Sequence, residues 1–318
     1  MPIACTSTTD NFMGVGVMLV SEVRKYLCSF WVGVFALLLV TPSFALDVVD
    51  GDFKTILYGR SETLSVWRYS GNPNILVFDF PGLTHQGLSF NRVMQLTEQQ
   101  TSEPYPRPLS TEELAKYIEA SRRTQADFAF GHDILVSEFV QFFNWADRDK
   151  LVLNPEELLI RDFLVQQGMM RSWRGFYQAL RPDVVILSIP QMQERKSNEP
   201  RITIAARYAI LMHEMAHGEY YTNPYYKAYC QRFWAESLND AQRDAFKKFL
   251  SNYGYSSYGD ELIINEMQAY LMFTPDPASF SARKLGVSDT ELDAMRDAFR
   301  KGKPATKLPL NLPRGELP

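Results

Sequence analysis

Ile202-Thr-Ile-Ala-Ala-Arg-Tyr-Ala-Ile-Leu-Met-His213-Glu-Met-Ala-His217-Gly218 combines helix formers with apolar residues at i, i+3, i+4 spacing, which predicts a helix running through the pentapeptide His213-Glu214-Met215-Ala216-His217. Residues four apart stack on one helical face, so two imidazoles in the H-E-x-x-H pattern can each place a nitrogen about 2.0 to 2.1 Å from one zinc ion. Glu214 falls about 100° around the helix from His213. That offset keeps its carboxylate off the ion but beside it, where it can take a proton from a zinc-bound water. The chain has four histidines, His85, His132, His213 and His217, in 318 residues. With so few, the pattern arises by chance in roughly one such sequence in several hundred. Gly218 follows at once and is expected to bend or end the helix.

A catalytic zinc site takes three protein ligands and leaves one position open. Glu219 lies two residues past His217, about 200° away on a continuing helix, and is discounted. No histidine follows His217, so the third ligand is expected to be a carboxylate. Glu261-Leu-Ile-Ile-Asn-Glu-Met-Gln-Ala-Tyr-Leu-Met-Phe273 reads as a second helix, apolar around most of its circumference, with Glu266 in the middle. A carboxylate there is costly unless paired or bound to a metal, which makes Glu266 the candidate ligand, with a buried ion pair to an arginine as the alternative. Asn265 is a candidate for orienting a ligand from outside the coordination sphere. For a donor to the developing oxyanion, Asn252-Tyr-Gly-Tyr-Ser-Ser-Tyr-Gly259 offers three tyrosines just before that helix, with Tyr258 preferred over Tyr253 and Tyr255.

These residues resemble gluzincin peptidases of the anthrax lethal factor and Mlc titration factor types. Their pattern is an H-E-x-x-H helix, several tens of residues, a tyrosine-containing loop, then a glutamate on a helix followed by an alanine and an aromatic residue. The matching positions are His213, Glu214 and His217, then Tyr258-Gly259, then Glu266 with Ala269 and Tyr270. The likeness runs from Ala205 to Phe273, and the sequence around the glutamate, Asn265-Glu-Met-Gln-Ala269, departs from the group's E-F-F-A-like run. The resemblance implies a zincin-like fold, one zinc per chain held by His213, His217 and Glu266, Glu214 as general base and Tyr258 as transition-state donor.

Arg24-Lys25, the apolar run Leu27–Val40 and Thr41-Pro-Ser-Phe-Ala45 stand in signal-peptide order, predicting cleavage after Ala45 and an exported, periplasmic or secreted product, with Met18 an alternative start. An apolar run of about 14 residues is short for a span of about 20, so no stable anchor is expected after cleavage. Only Cys230 then remains, which excludes an intramolecular disulfide, and it reads as a small core residue. A net charge of −4 with no basic patch argues against nucleic-acid binding.

The expected fold class is α+β: a mostly helical, zincin-like catalytic domain over residues 106–300, with a small mixed sheet, after a β-containing N-terminal region over 46–105. Residues 301–318 read as a loose tail. Thr63–Tyr69 and Asn74–Phe80, separated by Ser70-Gly-Asn-Pro-Asn74, form a hairpin candidate. Ser110-Thr-Glu-Glu-Leu114 opens a helix, and the chain from there to Trp173 reads as mainly helical. Asp183–Pro190 is a strand, with Pro190 suiting an edge that could accept an extended substrate, and a simple buried strand as the equal alternative. His85 and His132 read as surface or core histidines, and Phe128-Ala-Phe-Gly-His-Asp133 as too generic to mark a site. The expected function is zinc-dependent hydrolysis of peptide or protein substrates. The alternative is a non-catalytic envelope protein whose zincin-like fold holds a metal and binds a partner.

Overall fold

Ile75-Leu-Val-Phe-Asp-Phe80 and Val185-Ile-Leu-Ser-Ile-Pro190 lack the apolar–polar alternation of a half-wet strand, so each must be covered on both faces. A computed structural model describes residues 46–98, 107–196, 198–255 and 259–308, all within one unit, Phe44–Pro318. In it these two segments are β3 (Ile75–Phe80) and β7 (Val185–Pro190), hydrogen-bonded in parallel and buried at every position.

The chain enters through β1 (Val48–Gly51), α1 (Phe53–Tyr58) and β2 (Ser65–Tyr69), then reaches β3 and α2 (Leu83–Glu98). After α3 (Thr111–Ala120) come β4 (His132–Leu135), α4 (Val136–Arg148), α5 (Pro155–Gln166), the hairpin of β5 (Met170–Trp173) and β6 (Phe176–Ala179), and β7. The rest is helical: α6 (Ile204–Thr222), α7 (Pro224–Arg232) running into a π-helical turn, α8 (Asp240–Ser251), α9 (Asp260–Phe273), α10 (Ala282–Leu285) and α11 (Asp289–Gly302). The sheet order is β1-β2-β3-β7-β4, and the sheet is mixed, with β1–β2 and β3–β7 parallel and β2–β3 and β7–β4 antiparallel. Alternate side chains of β3 and β7 feed two cores. Ile75, Val77, Leu187 and Ile189 pack with α6 and α9, whereas Leu76, Phe78 and Ile186 pack with α2, α4 and α5. The molecule is thus a mixed helix-and-sheet structure with the sheet between two helical layers.

The β2–β3 hairpin forms, and Ser110 caps α3 with Glu113 reaching back to close a capping box. Several expectations need correction. Residues 46–105 do not make a separate region, because β3 pairs directly with β7 from the far side of the expected boundary at 105. The stretch to Trp173 is mainly helical, in α3, α4 and α5, but it also holds β4, which is too short to show a period in sequence, and ends in β5. The strand at 183–190 is interior, and β4 is the edge that covers it. Gly218 does not end α6, which continues to Thr222. Its role is close packing, since a Cβ there would stand 2.9 Å from Ile75 Cδ1. The tail is not loose through residue 308: Tyr69 donates its hydroxyl hydrogen to the Lys307 carbonyl at 2.6 Å, and Leu308 is buried in the α6–α9 core. The signal segment 1–45, its alternative start Met18, and residues 309–318 lie outside the described residues.

Candidate metal centre

Helix α6 is capped by Thr203, whose side chain accepts from the Ala206 N–H, and it buries Leu211, Met212, Met215 and Ala216 against β3, β7 and α9. That packing fixes the rotation of the helix and turns His213 and His217 toward α9. Their Nε2 atoms face each other 3.0 Å apart. From α9, Glu266 places Oε2 3.6 Å from His213 Nε2 and Oε1 3.9 Å from His217 Nε2. Two ligand bonds of about 2.0 to 2.1 Å at a tetrahedral angle span about 3.4 Å, so the three separations bracket what one zinc ion requires. All three ligand atoms lie within 4.8 Å of one another.

Thr274, at the C-terminal end of α9, orients the first candidate ligand. Its hydroxyl donates to the Ala269 carbonyl at 3.0 Å and therefore accepts the His213 Nδ1 hydrogen at 2.8 Å. The proton is thereby assigned to Nδ1, leaving the Nε2 lone pair toward Glu266. Burial, then the neighbouring His217, holds the His213 imidazole well below its usual pKa, in the neutral form that binds metal. Tyr270 backs the same ring edge-on, with centroids 4.7 Å apart.

Glu214 projects beside this group toward Gly131, the residue before β4. A Cβ at Gly131 would come within 2.1 Å of Glu214 Oε1, so only glycine leaves room for the carboxylate. Its other oxygen, Oε2, is buried without a hydrogen-bond partner, as are His217 Nδ1 and Glu266 Oε2. Buried polar atoms are ordinarily satisfied. Glu266 Oε2, 3.6 Å from His213 Nε2, fits a cation held between α6 and α9, whereas His217 Nδ1 faces Asp133 on the other side of its ring. Burial first, then Asp133, Glu266 and Glu98, raises the Glu214 pKa well above the usual carboxylate range. Burial also raises Glu266, while the His217 charge and a Tyr255 hydrogen bond oppose the rise.

Asp133, Gly131 and Glu98 belong to the site and were not foreseen. Asp133 on β4 brings Oδ2 to 3.9 Å from His217 Nδ1, and with Glu214 and His217 it forms a second grouping able to hold a metal. The alternation of β4 explains the division of labour: Asp133 faces α6, whereas His132 and Ile134 face the other core. Every residue from Phe128 to Asp133 except His132, in a segment set aside on sequence grounds, lines the cleft. Nothing in its composition could have revealed this, because its position beside α6 depends on β4 pairing with β7.

Tyr258 lies outside the described residues. Of the alternates, Tyr253 and Tyr255 both line the cleft, and the Tyr255 hydroxyl points to Glu98 Oε2 at 3.5 Å. Asn265 is buried, but its Oδ1 accepts from Gln268 Nε2 at 3.2 Å; it hydrogen-bonds none of the three ligands. Glu219 accepts from Asn223 away from the site. His132 is a core histidine bonded to Ser188 Oγ and Asn91 Oδ1, and exposed His85 pairs with Glu156. Cys230 is a buried free thiol, pushed up to about 12 by burial.

The cleft over the three candidate ligands has a volume of about 500 Å³. A larger, shallower hollow of about 920 Å³, lined by Arg60, His85 and Glu199, includes none of the metal-competent groups. No family model, curated protein or solved structure matches the chain.

Proposed function

We propose that this protein is an exported zinc-dependent peptidase with a zincin-like fold, which hydrolyses peptide bonds in the cleft between α6, α9 and β4. The observation that carries the reading is the convergence of His213, His217 and Glu266 on one point, with Glu214 alongside and its Oε2 unpartnered. A structural zinc site takes a fourth protein ligand and has no use for a neighbouring base, whereas this grouping offers three ligands and a free carboxylate. Zinc bound there supplies Lewis-acid polarisation of the scissile carbonyl and a lowered pKa for the attacking water.

The chain's own residues do the rest. Glu214 takes one proton from the water as its oxygen adds to the carbonyl carbon. It then delivers that proton to the amide nitrogen as the C–N bond breaks, leaving a carboxylic acid and an amine. A raised proton affinity, caused by burial and the surrounding acids, suits a group that must both accept and return a proton. Tyr255, which lines the cleft with its hydroxyl 3.5 Å from Glu98 Oε2, and Tyr258 are the candidates to hydrogen-bond the oxyanion. Edge strand β4 has no pairing partner on its outer side among the described residues, so an extended substrate can add to it as a further strand.

The test is Glu214→Gln. Zinc content by elemental analysis should remain about one per chain, while hydrolysis of a peptide library falls by at least about 10² to 10⁴. His213→Ala should lose the metal. Zinc in the wild type with hydrolysis unchanged by Glu214→Gln would sink the mechanism. Zinc with no hydrolysis of any library member would favour the non-catalytic metal-binding alternative.

A further inference from the structure

The hairpin β5–β6 carries a surface that catalysis does not use. Met170, Tyr177 and Ala179 pack into the core shared with α2, α4 and α5, on the opposite side of the sheet from α6. Its other face presents Arg171 across from Gln178 and Trp173 across from Phe176. Trp173 is 52% exposed, Phe176 64% and the adjoining Leu180 45%. Val152, Leu159 and Val165 are exposed in the same part of the chain, so six of the eleven exposed large apolar side chains among the described residues fall between 152 and 180. Trp173 and Phe176 are cross-strand neighbours on one face, and large exposed apolar side chains set side by side mark an interaction surface, unlike single scattered ones.

Charge narrows the partner. The Arg171 and Arg174 guanidiniums lie 5.6 and 5.5 Å from the Trp173 ring centroid. Arg171 otherwise bonds only the neutral Gln178, and neither arginine has an acidic partner among the described residues. The neighbouring Arg161 and Arg181 are paired, with Asp162 and Asp183. Backbone geometry adds an independent sign. The two-residue turn Arg174-Gly175 has φ of 51° and 81°, a combination that Asn-Gly or Gly-Gly satisfies far better. An arginine in a left-handed position is held against local preference, which points to use of its side chain.

From these observations we propose that the β5–β6 hairpin docks the protein on an anionic phospholipid surface. Trp173, Phe176 and Leu180 enter the interfacial layer, while Arg171 and Arg174 engage the phosphates. Tryptophan with flanking arginines suits that layer, where one end of the side chain is apolar and the other wet. This is peripheral adsorption, since no helix among the described residues is long and apolar enough to cross a membrane.

The test is co-sedimentation of the full chain with vesicles of phosphatidylcholine alone or with about one-third phosphatidylglycerol, alongside amide exchange over residues 170–181. Adsorption through the apolar Leu27–Val40 segment is common to wild type and variants, so their difference reads the hairpin. Combining Arg171→Ser with Arg174→Ser should weaken partitioning to the anionic vesicles roughly 25-fold, about fivefold per arginine. Trp173→Ser with Phe176→Ser should weaken it as well, and both variants should keep the wild-type circular dichroism because these side chains are exposed. Exchange over the hairpin should slow on anionic vesicles and not on neutral ones. Unchanged partitioning of both variants overturns the proposal. So does hairpin protection that grows with protein concentration without lipid, which would assign the surface to a second copy of the chain.

Discussion

His213 does not choose its own proton. Thr274 does, by giving its single hydroxyl hydrogen to the Ala269 carbonyl and leaving only a lone pair for His213 Nδ1. Thr274→Val keeps the shape and removes the acceptor, so zinc affinity should fall about 10- to 100-fold in a competition titration with a chromogenic chelator. Gly131 acts by absence. A methyl group there meets the Glu214 carboxylate at 2.1 Å, and displacing that carboxylate by an ångström or so misaligns the base. Gly131→Ala should therefore retain about one zinc per chain and lose on the order of 10² in hydrolysis. At this scale the sequence was uneven. His213, Glu214 and His217 stand out because a helical turn is short enough to bring them together without help, and Glu266 because a carboxylate in an apolar helix demands a partner. Thr274, Asp133 and Gly131 carry no such mark, being ordinary residues until another element is packed against them.

Among the elements, α6 is anchored by an ion pair with almost no solvent access. Arg207, six residues before His213, bonds both Asp79 oxygens at 2.7 and 2.9 Å, and the carbonyls of Ile56, Leu57 and Pro190. One side chain thereby ties α6 to the end of α1, to β3 and to β7. Burial alone would push the Asp79 carboxyl up, and Arg207 opposes that rise. Arg207→Met should cost about 3 to 5 kcal/mol in urea unfolding, because it strands a buried carboxylate. Adding Asp79→Leu should recover much of that loss, since the desolvated charge is then gone too. The period of α6 and α9 and the capping signals of α3 were legible in sequence because they are local. The edge position of β4 was not, because four residues show no period and an edge is defined by what pairs alongside.

For the molecule as a whole, pH is one lever on stability, and under the proposed function bound metal is a second. Burial lowers His132 to about 3, against 6.5 in the open chain. Between those values the unfolded state binds the proton that the folded state refuses, so the contribution of His132 is full above pH 6.5 and drains by roughly 1.4 kcal/mol per unit as pH falls toward 3. Glu138, raised by burial to about 7, works in the opposite sense between pH 4.5 and 7. The wild-type curve alone therefore cannot isolate His132. The stability advantage of wild type over His132→Gln should shrink as pH is lowered from 6.5 to 4.5, measured by urea unfolding at each pH. Metal acts by mass action: at about 100-fold excess over the dissociation constant it should add about 2.7 kcal/mol. Chelation should thus lower the melting temperature of wild type and leave that of His213→Ala unmoved. The sequence by itself determined the mixed helix-and-sheet composition, the two helices bearing the candidate ligands and the hairpin of β2 and β3, all features whose causes lie within a few turns of chain. The tertiary structure decided that β3 and β7 join residues on either side of 105 into one sheet, and that β4 closes its edge with Asp133 toward His217. It also decided that Thr274 and Gly131 fix the orientation of His213 and Glu214. Each of these rests on contacts between segments far apart in sequence, where packing and pairing, and not local propensity, set which residue meets which.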